Sequence, residues 1–315
     1  MAQSRLICFA AWVACPVLVG AASAAEVTVQ RSAGGAVVKI DGQLFTEYLV
    51  SSGNKPILWP VIGPTGQPMT RSYPMKNVPG ETKDHPHQRS IWFTHGDVNG
   101  IGFWDQSSKA GRIVHREFVK LAGGETAAIV TRNDWLAPDG KKQLEDQRAL
   151  RFGLIGETRW IDFDITLIAT EGPVRFGDTK EGTFGVRVAE ALAVDAKRGG
   201  TIVNSQGERD TNAWGKRASW VDYFGSVDHE AVGIAILNHP SSFRYPTFWH
   251  VRTYGLYAAN PFGTKNFTGR QGDDGSYTLP AGEKLPLRYR LLFHRGDWRE
   301  AGIARRFADY AKEKK

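Results

Sequence analysis

The 315-residue chain has 40 Lys and Arg against 33 Asp and Glu, a formal net charge of +7, and eight histidines. Its two cysteines, Cys8 and Cys15, both lie in an N-terminal leader, so the chain beyond it excludes disulfides, thiolate metal sites and a cysteine nucleophile. Basic residues are spread along the chain except near the C-terminus, which argues against a nucleic-acid partner and fits an anionic ligand equally well.

The leader reads as an export signal. Arg5 is the positive region, Leu6 to Val19 the apolar region, and Ala22-Ser23-Ala24 a small-residue cleavage motif. A signal peptide over 1–24, cut near Ala24, implies a periplasmic or secreted protein. Trp12-Val13-Ala14-Cys15 is a poor lipobox, which disfavours a lipid anchor at Cys15. Nothing after Val27 resembles a membrane span, and roughly 290 residues suffice for a large core.

Period-two alternation dominates the chain beyond the leader. Glu26 to Arg31 and Ala36 to Asp41 alternate, and Asp41-Gly42 turns the chain into Leu44 to Val50. A meander then runs from Arg112 to Ala122, Glu125 to Leu136, Lys141 to Ile155 and Glu157 to Thr170, with glycine in each turn. In Arg159 to Thr170, Ile161, Phe163, Ile165, Leu167 and Ala169 form an apolar face, and Trp160, Asp162, Asp164, Thr166 and Thr170 face water or a cleft. Leu285 to Phe293 repeats the pattern, with Arg288, Arg290 and His294 outward. Pro56 to Pro86 and Pro240 to Pro261 read as Pro-rich loops. The one helix is C-terminal: Asp297 and Glu300 approximate a capping box, Ile303, Phe307, Tyr310 and Ala311 form an apolar stripe, and Arg305, Arg306, Lys312 and Lys314 face water. The expectation is an all-β protein, a large antiparallel β-sandwich with a C-terminal helix, in one domain over 25–315.

Four stretches could carry chemistry. Asp84 to Asp97 puts His85, His87, His95, two aspartates and Arg89 within fourteen residues, around a strand-like core from Ser90 to Thr94 that includes Trp92. His85 and His87 point the same way if the backbone is extended. With His95 they are candidate ligands for a divalent metal, or acid–base groups, or solvated loop histidines. The second stretch, Val98 to Asp105, sets Trp104 beside Asp105 after two glycines, as in a sugar-stacking plate with a hydroxyl acceptor, or a buried aromatic in a tight turn. The third, Arg175 to Arg187, offers Asp178 and Glu181 as carboxylate partners for a histidine, with Lys180 as a surface pair for either acid. The fourth, Asn238 to Gly263, carries His239, Trp249, His250, Arg252, Tyr254 and Asn260, with His250 and Arg252 on one face. No Ser-His-Asp set, P-loop or dinucleotide fingerprint is present, so no nucleotide cofactor is expected.

Three of these motifs in combination, His85-Pro86-His87-Gln88-Arg89-Ser90-Ile91-Trp92-Phe93, Asp178 to Arg187, and Trp249 to Phe262, resemble the bacterial family often labelled "methane oxygenase PmoA". A genuine methane-oxygenase subunit of that name has several membrane spans, so copper-dependent methane oxidation does not carry over. The resemblance implies an exported protein of a sugar-degrading bacterium. The all-β pattern is also similar to the galactose-mutarotase-like supersandwich, which implies a His and a carboxylate acting on a sugar ring in a cleft. The reading is therefore an exported protein acting on a neutral or acidic carbohydrate as an epimerase, hydrolase or lyase. His87, His95 or His250 would move the proton with Glu181 or Asp178. Arg89, Arg187 and Arg252 would hold an anionic or oxyanionic group, and Trp92, Trp104, Trp249 and Tyr254 would supply stacking walls. Asp105, His239 and Asn260 complete the candidate substrate contacts. The alternatives are a noncatalytic carbohydrate-binding protein and a metal-dependent enzyme using His85, His87 and His95.

Overall fold

The computed structural model describes residues 25–314. The expected leader and its cleavage site lie outside the described residues. The chain opens with β1 (Val27–Arg31), β2 (Gly35–Ile40), β3 (Gln43–Ser52), β4 (Lys55–Val61) and β5 (Ile91–His95). The meander comes next as β6 (Arg112–Ala122), β7 (Ala127–Leu136), β8 (Lys142–Ile155) and β9 (Thr158–Ile168). Then come β10 (Val174–Phe176), β11 (Gly182–Arg187), β12 (Thr201–Asn204), β13 (Trp220–Val227), β14 (Glu230–Asn238), β15 (Phe248–Val251) and β16 (Leu256–Asn260). A short helix α1 (Thr264–Thr268), β17 (Tyr277–Leu279), β18 (Lys284–Arg295) and a helix α2 (Ile303–Tyr310) complete it.

The strands form two eight-stranded antiparallel sheets. One has the order β1-β2-β3-β4-β5-β11-β16-β15, the other β12-β13-β14-β18-β9-β8-β7-β6, and β10 pairs with β17 as a ribbon. The expected large antiparallel sandwich with a C-terminal helix is thus the fold. Local hairpins account for β1 to β4 and β6 to β9, where turn residues bring consecutive strands together. The long-range pairings β5–β11 and β9–β18 join distant parts of the chain. One apolar cluster fills the space between the sheets. Across it, Phe163 packs on Phe184 at 4.5 Å between ring centroids, and Phe184 stacks on Tyr289 at 4.8 Å. No helix of the described residues is long and apolar enough to cross a membrane.

The structure departs from the sequence expectation in four places. β4 forms inside the Pro-rich segment from Pro56, because Ile57 and Leu58 find partners in β3 and β5. Likewise β15 and β16 pair inside the second expected loop. The outer face of β9 and β18 is not all turned to water: Trp160, Asp162, Arg290 and His294 are buried. Trp160 packs with Ile303 and Tyr310 of α2, Arg290 pairs with Asp162 at 2.5 Å and with Glu313 at 2.6 Å, and His294 pairs with Asp222 at 3.0 Å. The capping box also forms, with Asp297 Oδ1 accepting from Glu300 N–H at 3.0 Å and Glu300 Oε2 accepting from Asp297 N–H at 3.0 Å. It caps only one turn, since Gly302 adopts φ 63° and α2 begins after it.

Candidate active site

Four neighbouring strands of the first sheet build the site through alternation. In β5, Ile91 and Phe93 enter the core, and Trp92 turns to the opposite face. In β11, Phe184 and Val186 enter the core, leaving Gly185 and Arg187 on the other side. In β15 and β16, Trp249, Val251, Tyr257 and Ala259 go inward, which leaves His250, Ala258 and Asn260 outward. On this outer face Ile57, Trp92, Trp104, Leu256 and Ala258 form a separate apolar cluster. Gly185 is paired with Trp92, and a Cβ there would lie 2.5 Å from Trp92 Cζ2, so the indole can lie across β11 only because the position is glycine. Trp104 stands on this floor, 5.4 Å from Trp92.

Above the floor lies a cavity of about 490 Å³, lined by His85, His87, Gln88, Trp104, Asp105, Lys180, Glu181, His250, Arg252 and Tyr254. All four of the stretches singled out in the sequence reach it. The walls are aromatic: His85 stacks on Tyr254 at 5.0 Å with the planes 4° apart, and His87 lies 6.3 Å from Trp104. Polar groups converge between them, as expected of a small-molecule site.

The wall formed by His85 is braced from below. Asp84 accepts from Arg71, from Arg187 Nη2 at 2.8 Å and from His85 Nδ1 at 2.8 Å. Partial burial works against the charged carboxylate, but Arg187, His85 and Arg71 outweigh it and hold Asp84 down at about 2. Arg187 also donates to Gln88 Oε1 at 2.6 Å and lies 4.7 Å over the Tyr254 ring, while Gln88 Nε2 donates to the Tyr254 hydroxyl at 3.3 Å. This network fixes His85, Gln88 and Tyr254 relative to one another.

The imidazoles of His87 and His250 are neutral near pH 7. Burial, then Lys55 and His85, pull His87 down to about 4 against the attraction of Asp105. Burial and then Arg252 pull His250 to about 3, with the Lys180 backbone opposing. The two differ in availability. His250 Nε2 accepts from Arg252 Nε at 3.2 Å and its Nδ1 is buried, so His250 positions Arg252. His87 is half-buried and presents its ring to the cavity. Glu181 is one-third exposed, with Lys180 Nζ 3.4 Å from its carboxylate, so the surface pair read as an alternative is present at the cavity rim. Asp105 Oδ1 caps its own turn, accepting from Ser107 N–H at 3.0 Å and from the Ser107 hydroxyl at 3.1 Å.

Several expected site residues lie elsewhere. His95 falls on the core side of β5, packs 5.0 Å from Phe262 and bonds Gly177 O through Nε2 at 2.9 Å. Burial pulls it to about 4, with Gly177 and Asp97 opposing. His85, His87 and His95 therefore do not converge as metal ligands, and among the described residues no three His, Asp or Glu side chains do. Asp178 ties down the loop beside the rim, accepting from the backbone N–H groups of Lys265 and Gly275. Trp249 is in the core with its Nε1 bonded to Ala218 O at 2.8 Å. Trp92 is the floor beneath Trp104 and not a wall. Arg89 binds Ser52 at 3.0 Å and Gln106 at 3.2 Å, outside the cavity lining. Arg187 is buried below the wall. His239 packs on Tyr310 of α2, 4.9 Å away. Asn260 donates to Thr179 O at 2.8 Å and so holds the segment that presents Glu181.

Two residues, Gln88 and Lys55, carried no expected role, and Lys180 was expected only as a surface partner for Asp178 or Glu181. Gln88 sat inside a stretch singled out for other residues. Lys55 had one signal, a lone charge heading the apolar run Pro56 to Pro60. Burial and then Arg89 lower it to about 7, with Asp105 opposing, and Nζ donates to Asn54 Oδ1 at 3.2 Å. Asn54 Nδ2 in turn reaches Asp105 O at 2.8 Å and Gly111 O at 3.0 Å, which anchors the Trp104-Asp105 loop.

Fold and cleft together define a two-sheet antiparallel sandwich with an aromatic-walled pocket bearing neutral imidazole, carboxylate and guanidinium. The chain belongs to a family of unknown function, DUF6807, whose model matches residues 35–308. No curated protein sequence matches it. Among solved structures it is similar to an α-galactosidase from Geobacillus stearothermophilus, at 10% identity and TM-score 0.38, over 86% of this chain and 41% of that one. A galactose mutarotase related enzyme from Lactobacillus acidophilus matches at 10% identity and TM-score 0.28, over 85% of this chain and 95% of that one. A polysaccharide lyase matches at 12% identity and TM-score 0.26, over 87% of this chain and 33% of that one. The chain thus spans about two fifths of the α-galactosidase's length. Scores this low leave the chemistry to be read from the cleft itself.

Proposed function

We propose that the protein is an exported carbohydrate-active enzyme that moves a proton on a bound sugar, with Glu181 as base and His87 as its partner. The observation that supports this is the convergence of four separate stretches, His85 to Gln88, Trp104-Asp105, Lys180-Glu181 and His250 to Tyr254, on one cavity. Trp104 and the His85–Tyr254 stack supply aromatic walls for the C–H side of a sugar ring, and Gln88 and Asp105 offer groups for its hydroxyls. A neutral imidazole carries one N–H and one lone pair, so His87 can donate a proton to one oxygen while accepting one from another. Glu181 takes the proton from the substrate, with Lys180 Nζ standing 3.4 Å from its carboxylate.

Epimerase or lyase chemistry fits this set better than hydrolysis. Glycoside hydrolysis needs two working carboxylates. The second carboxylate of the cleft, Asp105, is engaged with Ser107 through Oδ1. The test is turnover of a broad panel of neutral and acidic saccharides. Wild-type protein should convert one of them, and Glu181→Gln and His87→Asn should lose conversion while keeping the wild-type circular dichroism. Noncatalytic sugar binding is the second reading, favoured by a stacked aromatic wall that is assembled without Glu181. Under that reading wild-type protein binds a glycan without converting it, Glu181→Gln binds as well as wild type, and Trp104→Ala does not.

A further inference from the structure

We infer that the sugar is anionic and that its carboxylate is held by the two terminal guanidinium nitrogens of Arg252. This rests on the saccharide reading above and narrows its substrate class.

Three arginines near the cleft are candidates for such a clamp, and their partners separate them. Arg187 is buried, with both terminal nitrogens engaged by Asp84 and Gln88, at 2.8 and 2.6 Å. Arg89 donates to Ser52 and Gln106 at 3.0 and 3.2 Å and does not line the cavity. Arg252 lines it, and its one side-chain hydrogen bond among the described residues runs from Nε to His250 Nε2 at 3.2 Å. Nη1 and Nη2 are therefore unengaged, as a parallel pair of donors matched to a planar carboxylate.

The fork is also pre-oriented. Its Cζ lies 5.1 Å over the Trp214 ring, which sets the guanidinium plane. His250 fixes the rotation about Nε, and it can accept from Arg252 only as a neutral ring. Such bracing reduces the side-chain entropy lost on binding. Charge favours the same ligand. Beneath the wall Arg71 and Arg187 share the single carboxylate of Asp84, so guanidinium exceeds carboxylate there. Among the groups lining the cavity Lys180 and Arg252 are matched by Glu181 and Asp105, so the positive excess comes from the guanidinium pair beneath the wall.

The test is calorimetric titration of the wild-type protein, Arg252→Gln and Arg252→Lys with galacturonate and glucuronate oligosaccharides, matched neutral oligosaccharides and a sulfated neutral sugar. Wild type should bind a uronate at least ~10-fold more tightly than its neutral counterpart, with the advantage shrinking as salt rises. Arg252→Gln should lose that advantage, read as the ratio of uronate to neutral affinity, and Arg252→Lys should recover part of it. Equal affinity for uronate and neutral sugar in the wild type would overturn the inference and leave the carbohydrate reading standing. An advantage that survives Arg252→Gln, or a sulfated sugar bound more tightly than the uronate, would overturn it as well. Failure of every saccharide to bind would overturn both.

Discussion

The two faces of the strands β5, β11, β15 and β16 use the same kinds of side chain for opposite ends. Toward the second sheet, Phe93, Phe184 and Trp249 pack in the core, and His95 packs against the stacked pair Phe176 and Phe262 with a backbone carbonyl as partner. On the other face, Trp92 and Trp104 form a floor, and His250 and Arg252 stand over it. The distance along the chain between a core residue and a cleft residue is a single position, as between Trp249 and His250. Residue type therefore does not decide role here. Strand parity does, because period-two alternation sends neighbours to opposite faces.

This contrast can be broken by substitution on either face. The largest expected effect is at the cleft: Glu181→Gln should lower turnover on the converted saccharide on the order of 10³-fold, with the urea midpoint unchanged, as steady-state rates and urea melts would show. On the core face, Trp249→Ala should cost about 3–5 kcal/mol in urea unfolding, through an indole-sized cavity and the loss of its bond to Ala218. A comparable loss from Glu181→Gln, or none from Trp249→Ala, would dissolve the distinction.

The histidines sharpen it through pH. His87, His95 and His250 have folded-state values pulled to about 4, 4 and 3 from an ordinary 6.5. Above pH 6.5 the rings are neutral in both states, and stability is unaffected by them. As pH falls from 6.5 toward 4 the unfolded chain takes up protons that the folded chain refuses, so stability declines. Urea melts across this range should show the decline, and His95→Gln should flatten it. Bound saccharide should not change the part due to His95, since that ring is sealed from the cleft.

The smallest expected effect is at the floor. Gly185→Ala forces a methyl against the Trp92 ring, 2.5 Å from Cζ2, and should cost about 1–2 kcal/mol as Trp92 shifts. Because Trp104 rests on Trp92, the same variant should bind the saccharide more weakly in fluorescence titration, whereas a core substitution of equal cost should not.

Much of the fold was legible because it is local. The β6 to β9 meander comes from alternation and glycine turns, and the inward set Ile161, Phe163, Ile165, Leu167 and Ala169 is buried as its pattern requires. The four chemical stretches were legible too, since each concentrates imidazole, carboxylate, guanidinium or indole in a short span. The partnerships between them were not. That β11 lies between β5 and β16 is a matter of long-range pairing. The burial of Asp162, Arg290 and His294 depends on α2 and on Asp222 reaching them from elsewhere in the chain. His95 is a different lesson. Its parity with Ile91 and Phe93 was visible, and that parity places it in the core. The positions of Asp178 and Asn260 as loop anchors depended on backbone partners that no side-chain pattern announces.

The central claim is that chemistry belongs to the outer face and packing to the inner one. The most direct measurement is saccharide turnover by wild-type protein, Glu181→Gln and His95→Gln side by side, each with its fold verified by near-ultraviolet circular dichroism. Turnover is expected from wild type and from His95→Gln, and turnover on the order of 10³-fold lower from Glu181→Gln. Turnover retained by Glu181→Gln and abolished in a folded His95→Gln would contradict it.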